Sequence, residues 1–538
     1  MDNDVVLFWF VCFACAWPMV VIRARGQTAV ARGWICIYAG ILVVCVTGWW
    51  LHLHSLIYVA AALWACLVLT PGLLTMAYSK QFFLQQYGAA YRLARLIGWM
   101  HPADGWRERP RIVLALDLVQ RGELAGGSQI LQELQQEKSL NGLAATVQLY
   151  RLTCQWDELV AWAAEHHEQL KPHAQFLPTL LRAHAEAGDF AGMFELFRLE
   201  QKRIARLIPT TVRDSCRLVL FAFSGKVQLT QDLLAANATA LPEPTRRFWA
   251  ATAALAAGQT EPATRELEEL LPNADPSLRL AIRYRLARPC GAPQPLNEAA
   301  EGLIQEAARE QGHEQSFGAQ ASLFSRGARA TQLLLALNLV MFGAEIFAGG
   351  SSNPETLYRL GALFTPAAQA GQWWRLATAL FLHFGALHLT MNMLALWLLG
   401  PFAEWALGSW RFLLVYLAAG ICSMGGVVWF TRGTEEMIVG ASGSIMALVG
   451  VTAALMLRGW LRERALTARR RLGAMALVIA SQTLFDSVVP QVSMTAHLTG
   501  ALLGFVLTLM LPDNLARASA AASPETRPAG GLGPSGAV

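Results

Sequence analysis

Long uncharged apolar segments constrain this fold most, because about 17–25 apolar residues suffice to cross a bilayer as a helix. The 538-residue chain has nine such segments, three before and six after a long charged region. They cover residues 5–22, 34–50, 56–76, 330–348, 386–406, 411–430, 442–457, 473–489 and 494–511. Only 15% of the residues are charged, against about 25% in soluble domains. We therefore predict an all-α, polytopic membrane protein that includes one soluble region.

The same pattern divides the chain into four regions. Residues 1–77 are predicted to form three transmembrane helices, and Asp2 and Asp4 stand where a signal peptide would be basic, so the first helix should be retained. Residues 78–329 are predicted to form a soluble helical domain, and residues 330–511 a core of six transmembrane helices. The tail, residues 512–538, is rich in Ala, Ser, Pro and Gly, which predicts disorder.

The distribution of arginine predicts the orientation in the membrane, since basic loops face the cytoplasm. Arginines lie between the first two segments and six more lie within residues 458–471, whereas residues 51–55 and 490–493 contain no Lys or Arg. This places the N-terminus outside and the soluble region inside. We expect an integral, multi-pass protein of a bacterial inner membrane.

The soluble region contains a weak internal repeat. Helical stretches are interrupted at five places, 32 to 37 residues apart. The interruptions are Gly122-Glu123, Cys154-Gln155, Gly188-Asp189, Gly225-Lys226 and Gly258-Gln259. The period resembles that of tetratricopeptide repeats, which stack into α-solenoids with a concave binding surface. The alternatives are a docking surface for a cytoplasmic protein partner and an ordinary helical spacer.

Four polar residues in the apolar segments are candidates for chemistry, since such residues are functional by default. His388 and Asn392 are four residues apart and share a helix face. Ser442 begins one segment and His497 lies one turn into another, at similar depth. His497 could activate Ser442 as a nucleophile. His388, Asn392 and the backbone N–H of Ser442 could stabilise an oxyanion.

We predict a Ser–His dyad, without an acid. Glu404 lies at the far end of its segment, and Asp486 lies nearer the outer face, but no pattern places it beside His497. No metal or other cofactor is predicted, because most of the nine cysteines, including Cys12 and Cys15, lie in apolar segments and His166-His167 lacks a second histidine one turn away. The net charge of +5 does not indicate nucleic-acid binding.

Several motifs in the last ~200 residues resemble the rhomboid intramembrane serine proteases. In order they are Trp374-Arg375, His383, His388-x-x-x-Asn392, Glu404, Gly440-x-Ser442-Gly443 and Ala496-His497-x-x-Gly500. The resemblance implies a six-helix core, a Ser–His dyad, and membrane-anchored protein substrates cleaved near the outer face. It also moves the predicted start of the second core helix from Leu376 to Ala386, after a long first loop.

One position departs from the family pattern. Met446 stands where many members have an aromatic residue that packs on the catalytic histidine. The alternative function is therefore that of a weakly active or inactive rhomboid-like protein that binds membrane segments without cutting them. A transporter is not favoured, because no inverted pair of Gly- or Pro-broken segments occurs.

Overall fold

The computed structural model describes most of the chain in two compact units. It describes residues 3–24, 31–207, 210–237, 241–289, 291, 295–317, 328–431, 435, 437–489 and 492–514. One unit comprises residues 4–308, and the other comprises residues 309–538 together with residues 1–3. Each has hydrophobic clusters of its own. The tail predicted to be disordered lies outside the described residues from position 515 onward.

The first unit begins with the apolar N-terminal helices. They are α1 (Asn3–Ala24), α2 (Arg32–Trp50), α3 (His54–Trp64) and α4 (Thr70–Phe83), with a π-helical turn over Ala65–Leu69 between α3 and α4. The start of α2 is fixed by the Asp104 carboxylate, which accepts hydrogen bonds from the N–H groups of Gly33 (3.0 Å) and Trp34 (3.1 Å). A carboxylate at this position also stabilises the positive end of the helix dipole.

The rest of the first unit is a succession of short helices. They are α5 (Tyr87–Met100), α6 (Arg109–Gln120), α7 (Leu124–Gln135), α8 (Leu140–Thr153), α9 (Trp156–Glu165), α10 (His167–Leu170), α11 (Leu177–Glu186), α12 (Phe190–Ile204), α13 (Thr210–Phe223), α14 (Val227–Ala236), α15 (Glu243–Ala256), α16 (Thr260–Leu270), α17 (Pro276–Ala287) and α18 (Glu298–Phe317). Short 3₁₀ turns cover Ala174–Phe176 and Leu271–Asn273. Helix α18 crosses the boundary between the two units.

All five interruptions expected from the sequence separate two helices. Their first residues have positive φ: 99° at Gly122, 54° at Cys154, 80° at Gly188, 68° at Gly225 and 82° at Gly258. A residue in this conformation ends a helix and reverses the chain, and glycine adopts it without steric strain. The turns join α6 to α7, α8 to α9, α11 to α12, α13 to α14 and α15 to α16.

The second unit contains the remaining helices and, among the described residues, two very short strands. The elements are α19 (Arg329–Phe347), α20 (Pro354–Leu360), β1 (Leu363–Phe364), α21 (Thr365–Gln369), α22 (Arg375–Thr378), α23 (Gly385–Leu407), α24 (Ser409–Phe430), β2 (Met437–Ile438), α25 (Ser442–Glu463), α26 (Leu466–Val488) and α27 (Met494–Met510). Strands β1 and β2 pair antiparallel, with Leu363 opposite Ile438. Helix α25 is central, because 78% of its apolar stretch is buried, against 28% in α19.

The prediction of an all-α, polytopic membrane protein is confirmed. Of the described helices, six are long and apolar enough to cross a membrane. They are Arg32–Trp50, His54–Phe83, Arg329–Phe347, Gly385–Leu407, Ser409–Phe430 and Ser442–Glu463. The other three predicted segments are also helical, but α26 contains Arg469, Arg470 and Arg471, and the apolar stretches Leu7–Arg23 and Met494–Met510 are shorter. Helix α23 begins at Gly385, which confirms the later start implied by the family resemblance.

Candidate active site

Ser442 is the first residue of α25, and the preceding backbone explains why the helix begins there. Gly440 has φ of +130°, a conformation that excludes helix and favours glycine. Its N–H donates to the carbonyl oxygen of Ala379 (2.9 Å), which ties this turn to the first loop. The Ser442 side chain is half-buried at the head of the helix. The first N–H groups of an α-helix have no intrahelical acceptor, so those of Ser442 and Gly443 are available to a ligand.

Close packing of α25 against α27 brings the serine and histidine segments together. A Cβ atom added to Gly500 would overlap the carbonyl oxygen of Gly443, so the two backbones touch. A Cβ added to Gly443 would also lie 3.5 Å from the carbonyl oxygen of Ala496, the residue directly before His497. Small residues permit this approach between membrane helices. Ser442 and His497 therefore lie on adjoining turns of neighbouring helices.

No hydrogen bond joins Ser442 to His497 in the part of the chain that the structure describes. The imidazole of His497 is buried, and its Nδ1 atom faces α26. Hydrogen bonds between catalytic groups are often longer in the absence of substrate and shorten when it binds.

The structure corrects the expectation about Asp486. Its Oδ2 atom lies 2.8 Å from Nδ1 of His497, and the Asp486 side chain is fully buried. The carboxylate also accepts a hydrogen bond at Oδ1 from Nε2 of Gln482 (2.8 Å), one turn earlier on α26. Sequence reasoning missed both residues because it gave Asp486 no neighbour. One signal could have found it: Asp486 lies two residues before the end of α26, and His497 lies three residues after the start of α27, the next helix.

His388 and Asn392 lie together beside Gly440. A Cβ added to Gly440 would come within 2.8 Å of Cε1 and 2.9 Å of Nε2 of His388, and within 3.6 Å of Nδ2 of Asn392. Glycine is therefore needed at this position on steric grounds as well. Among the described residues, neither Nδ2 of Asn392 nor Nδ1 of His388 has a hydrogen-bond partner, although both atoms are buried. An unpartnered buried donor is costly unless a ligand uses it.

The first-loop residues Trp374 and Arg375 support the site from a distance. The buried guanidinium of Arg375 donates to the carbonyl oxygens of Tyr358 (2.7 Å) and Ala362 (3.0 Å) and lies 4.6 Å from the ring centre of Trp374. These contacts hold α20 and the segment leading into β1. Because β1 pairs with β2, they help to position the chain that enters Ser442.

Two buried carboxylates anchor neighbouring segments. Glu345 accepts a hydrogen bond from the backbone N–H of His383 (2.8 Å), and the His383 ring meets that of His388 edge-on at 5.3 Å. Glu404 accepts hydrogen bonds from the N–H groups of Ala330 (2.9 Å) and Thr331 (2.8 Å), and so caps the start of α19. Both oxygens of Glu404 and Oε1 of Glu345 thus make structural contacts, whereas the buried Oε2 of Glu345 has no hydrogen-bond partner among the described residues.

Met446 lies one turn after Ser442 and is buried. It belongs to a small cluster with Val449 and Ala501, against which Met475 and Ile479 of α26 pack. The thioether thus fills space one turn from His497. Among the described residues, no group of three or more His, Cys, Asp or Glu side chains could hold a metal ion.

Comparison with known proteins identifies the family. A rhomboid domain model matches residues 370–514. The chain is 37% identical over 188 residues to the rhomboid protease GluP of Bacillus subtilis and 34% identical over 140 residues to the putative rhomboid protease YdcA of the same bacterium. It is 28% identical over 207 residues to the rhomboid protease AarA of Providencia stuartii.

The extent of these matches differs. The match to GluP involves 35% of this chain and 36% of GluP. The match to YdcA involves 26% of this chain and 68% of YdcA, and the match to AarA involves 35% of this chain and 74% of AarA. The chain thus spans about a third of the length of GluP. More than two thirds of YdcA is covered at over 30% identity, and the six apolar helices agree with a membrane-embedded fold. This protein is therefore an integral, multi-pass membrane protein that belongs to the rhomboid family.

Proposed function

We propose that the protein is an intramembrane serine endopeptidase that cleaves membrane-anchored proteins within or next to a transmembrane segment, near the outer face. The observation that carries the proposal is the convergence of three groups at the head of α25. These are a half-buried serine, a histidine on the adjoining turn of α27, and an unpartnered asparagine amide beside Gly440.

In the proposed reaction, His497 takes the proton of Ser442 as Oγ attacks the carbonyl carbon of the scissile peptide bond. The carbonyl oxygen becomes an oxyanion, to which Asn392, His388 and the Ser442 N–H donate. Donors placed where charge develops commonly lower the barrier more than any other group. The imidazolium then protonates the leaving amine. His497 next activates a water molecule, which hydrolyses the acyl-enzyme and regenerates the serine.

The most direct test is cleavage of a reporter transmembrane segment by the purified, full-length protein. Ser442→Ala should abolish cleavage. Ser444→Ala is the matched control, because Ser444 lies in the same turn of α25 and its buried Oγ has no partner among the described residues. We expect the control to cleave at the parent rate. Equal cleavage by Ser442→Ala and the parent would refute the protease.

The alternative, a rhomboid-like protein that binds membrane segments without cutting them, makes a different prediction. Reporter binding would then be retained by the parent and by Ser442→Ala, with no product from either. The packing of Gly443 against Gly500 and the unpartnered amide of Asn392 favour the protease.

The orientation is also a proposal, supported by the arginines at the two basic loops. The region predicted to be soluble, residues 78–329, would lie in the cytoplasm of a bacterial cell, and the head of α25 near the outer face. An exposed cysteine introduced as Ser55→Cys should react with an impermeant maleimide in intact cells. Arg462→Cys should react only after permeabilisation. Labelling of Arg462→Cys from outside would reverse the orientation.

The helical part of the first unit is proposed to hold a cytoplasmic segment of a substrate or of an adaptor protein. An open recess in this unit supports this role. Its lining combines aromatic and polar side chains, among them Tyr87, Arg151, Thr245, Trp249 and Asp275. Tethering a substrate there would raise its effective concentration at the membrane core.

A truncated protein tests this role. Phe317 packs into the hydrophobic core of the second unit, where its ring contacts Gly459, so the truncation should retain residues 309–538. We expect the truncated protein to cleave a generic reporter at the parent rate. In cells, it should generate fewer new protein termini by substrate cleavage than the parent protein does, as measured by mass spectrometry. An equal set of new termini would argue against docking.

A further inference from the structure

Asp486 is a buried carboxylate and the one ionisable side chain within residues 473–489. Ionisable side chains in such segments are energetically costly and almost always have a partner. Here that partner is His497, whose Nδ1 lies 2.8 Å from Oδ2. The His497 side chain is 6% exposed and that of Asp486 is 0% exposed, so water does not weaken the pair.

A second residue fixes the direction of the carboxylate. Gln482 Nε2 donates to Oδ1 of Asp486 at 2.8 Å and lies 3.4 Å from Nδ1 of His497. Gln482 therefore occupies one oxygen of Asp486 and leaves the other for the imidazole. Nearer the N-terminus of the same helix, Met475 and Ile479 pack against residues of α25 and α27, and this packing holds the same face of α26 in place.

We propose that Asp486 is the positioning residue of His497, so that the site operates as a Ser442–His497–Asp486 triad and not as a dyad. This inference rests on the proposed protease function. An ionised carboxylate only accepts hydrogen bonds, so Nδ1 of His497 carries the proton and Nε2 keeps its lone pair. That lone pair accepts the proton of Ser442 as the Oγ–carbon bond forms.

The carboxylate acts again once the imidazole is charged. It stabilises the imidazolium electrostatically, while the proton from Ser442 remains on Nε2 until it is donated to the leaving amine. Asp486 contacts neither the substrate nor the reacting oxygen. Its effect should therefore appear in the rate of the chemical step, with little change in substrate binding.

Asp486→Asn separates positioning from a purely structural role. Asparagine has the same shape and can still bridge α26 and α27. Its amide, however, can donate to Nδ1 and so favour the tautomer with the proton on Nε2, which cannot accept from Ser442. In a well-studied serine protease triad, the same change reduces kcat by about 10⁴-fold. We expect kcat to fall by about 10²–10⁴-fold here, with KM changed less than about twofold.

The experiment uses the purified, full-length protein and measures three quantities: kcat and KM on a reporter transmembrane segment, the melting temperature, and the rate of Ser442 labelling by a fluorophosphonate. Labelling forms an Oγ–phosphorus bond and releases fluoride, and it reports serine activation without a peptide substrate. Asp486→Glu keeps the carboxylate and should recover part of both rates. Thr508→Val is the matched control, because this buried threonine lies three turns further along α27 and its hydroxyl has no partner among the described residues.

The outcomes are distinct. Slower labelling and lower kcat in Asp486→Asn, at the parent melting temperature, would support positioning. Parent rates in Asp486→Asn would overturn it and leave a dyad. A lower melting temperature with unchanged kcat per labelled site would also overturn it, because Asp486 would then serve only packing. If Ser442→Ala cleaves and labels like the parent, it is the proposed protease function itself that fails.

Discussion

Two buried carboxylates, Glu186 in the first unit and Asp486 in the second, illustrate how a structural contact differs from a candidate catalytic one. In the first unit, Arg285 contacts Glu186 at 2.6 Å, and both side chains are at most 1% exposed. Aromatic rings surround this pair, with the Arg285 guanidinium 4.8 Å from the ring centre of Phe223. In the second unit, His497 contacts Asp486 at 2.8 Å, also buried.

The surroundings of the two pairs differ more than the pairs themselves. Arg182 adds a second cation to Glu186, at 3.0 Å, so charges and rings enclose the pair in the first unit. The pair in the second unit adjoins the turn of α25 that carries half-buried Ser442. Close to that turn lies the Asn392 amide, unpartnered among the described residues. Burial of a paired carboxylate is thus weak evidence of function. A neighbouring nucleophile and an unused donor are stronger evidence.

The largest expected effect is that of His497→Ala. Loss of the general base should reduce kcat by at least about 10⁴-fold, since members of a serine protease triad act as a unit. Reporter cleavage by the purified protein measures the effect. His313→Ala is the control, because this buried histidine of the second unit contacts Glu463 at 3.6 Å and has no part in the site. Retention of more than a tenth of the parent rate would exclude His497 as the base.

Asn392→Ala should have the next largest effect. Removal of one oxyanion donor typically reduces kcat by about 10²–10³-fold, because the charge on the oxygen is then less stabilised. Asn338→Ala is the matched control, a buried asparagine whose Nδ2 donates to the Leu334 carbonyl oxygen at 2.7 Å. If both variants lost activity equally, the Asn392 amide would have no special role in the transition state.

Glu186→Gln should affect stability and leave catalysis intact. Breaking a buried pair by neutralising one partner leaves an uncompensated charge and destabilises by about 3–5 kcal/mol. Thermal unfolding of the full-length protein measures this effect, with the exposed pair of Glu195 and Arg198 as the comparison through Glu195→Gln. We expect a clear drop in melting temperature only for Glu186→Gln. Loss of kcat in the folded variant would contradict a structural role for this pair.

Met446→Phe should have the smallest effect. Met446 is buried in a cluster with Ala501, so a larger ring overfills the site by about 1–3 kcal/mol. In return, the ring can restrict His497 better than a flexible thioether. We therefore expect reporter cleavage at or above the parent rate together with a lower melting temperature. A tenfold loss of cleavage at full folding would show that Met446 itself is required.

Features that depend on local sequence could be predicted. The long apolar helices could be predicted from the apolar segments, because the length of an apolar segment determines whether it can span a membrane as a helix. The turns at Gly122, Gly188, Gly225 and Gly258 followed from glycine's tolerance of positive φ. The motif residues around Ser442 and His497 were recognisable because their spacing is specific.

Contacts between distant segments could not be predicted. Asp486 was recognised as a lone acid, and only the packing of α26 beside α27 reveals its contact with His497. The His383 N–H donates to Glu345, 38 positions away. Arg375 donates to the backbone carbonyl oxygens of Tyr358 and Ala362, 17 and 13 positions away. Such contacts depend on how the first loop folds. The sequence of this loop has no helical or strand periodicity from which its fold could be predicted.

The measurement that most directly tests the central proposal is mass spectrometry of the full-length protein after reaction with a fluorophosphonate. We expect one adduct, located on Ser442, that is absent from Ser442→Ala and forms far more slowly in His497→Ala. Ser444→Ala should give the parent adduct. An unmodified parent protein, or an adduct that persists in Ser442→Ala, would contradict the assignment of an activated serine at the head of α25.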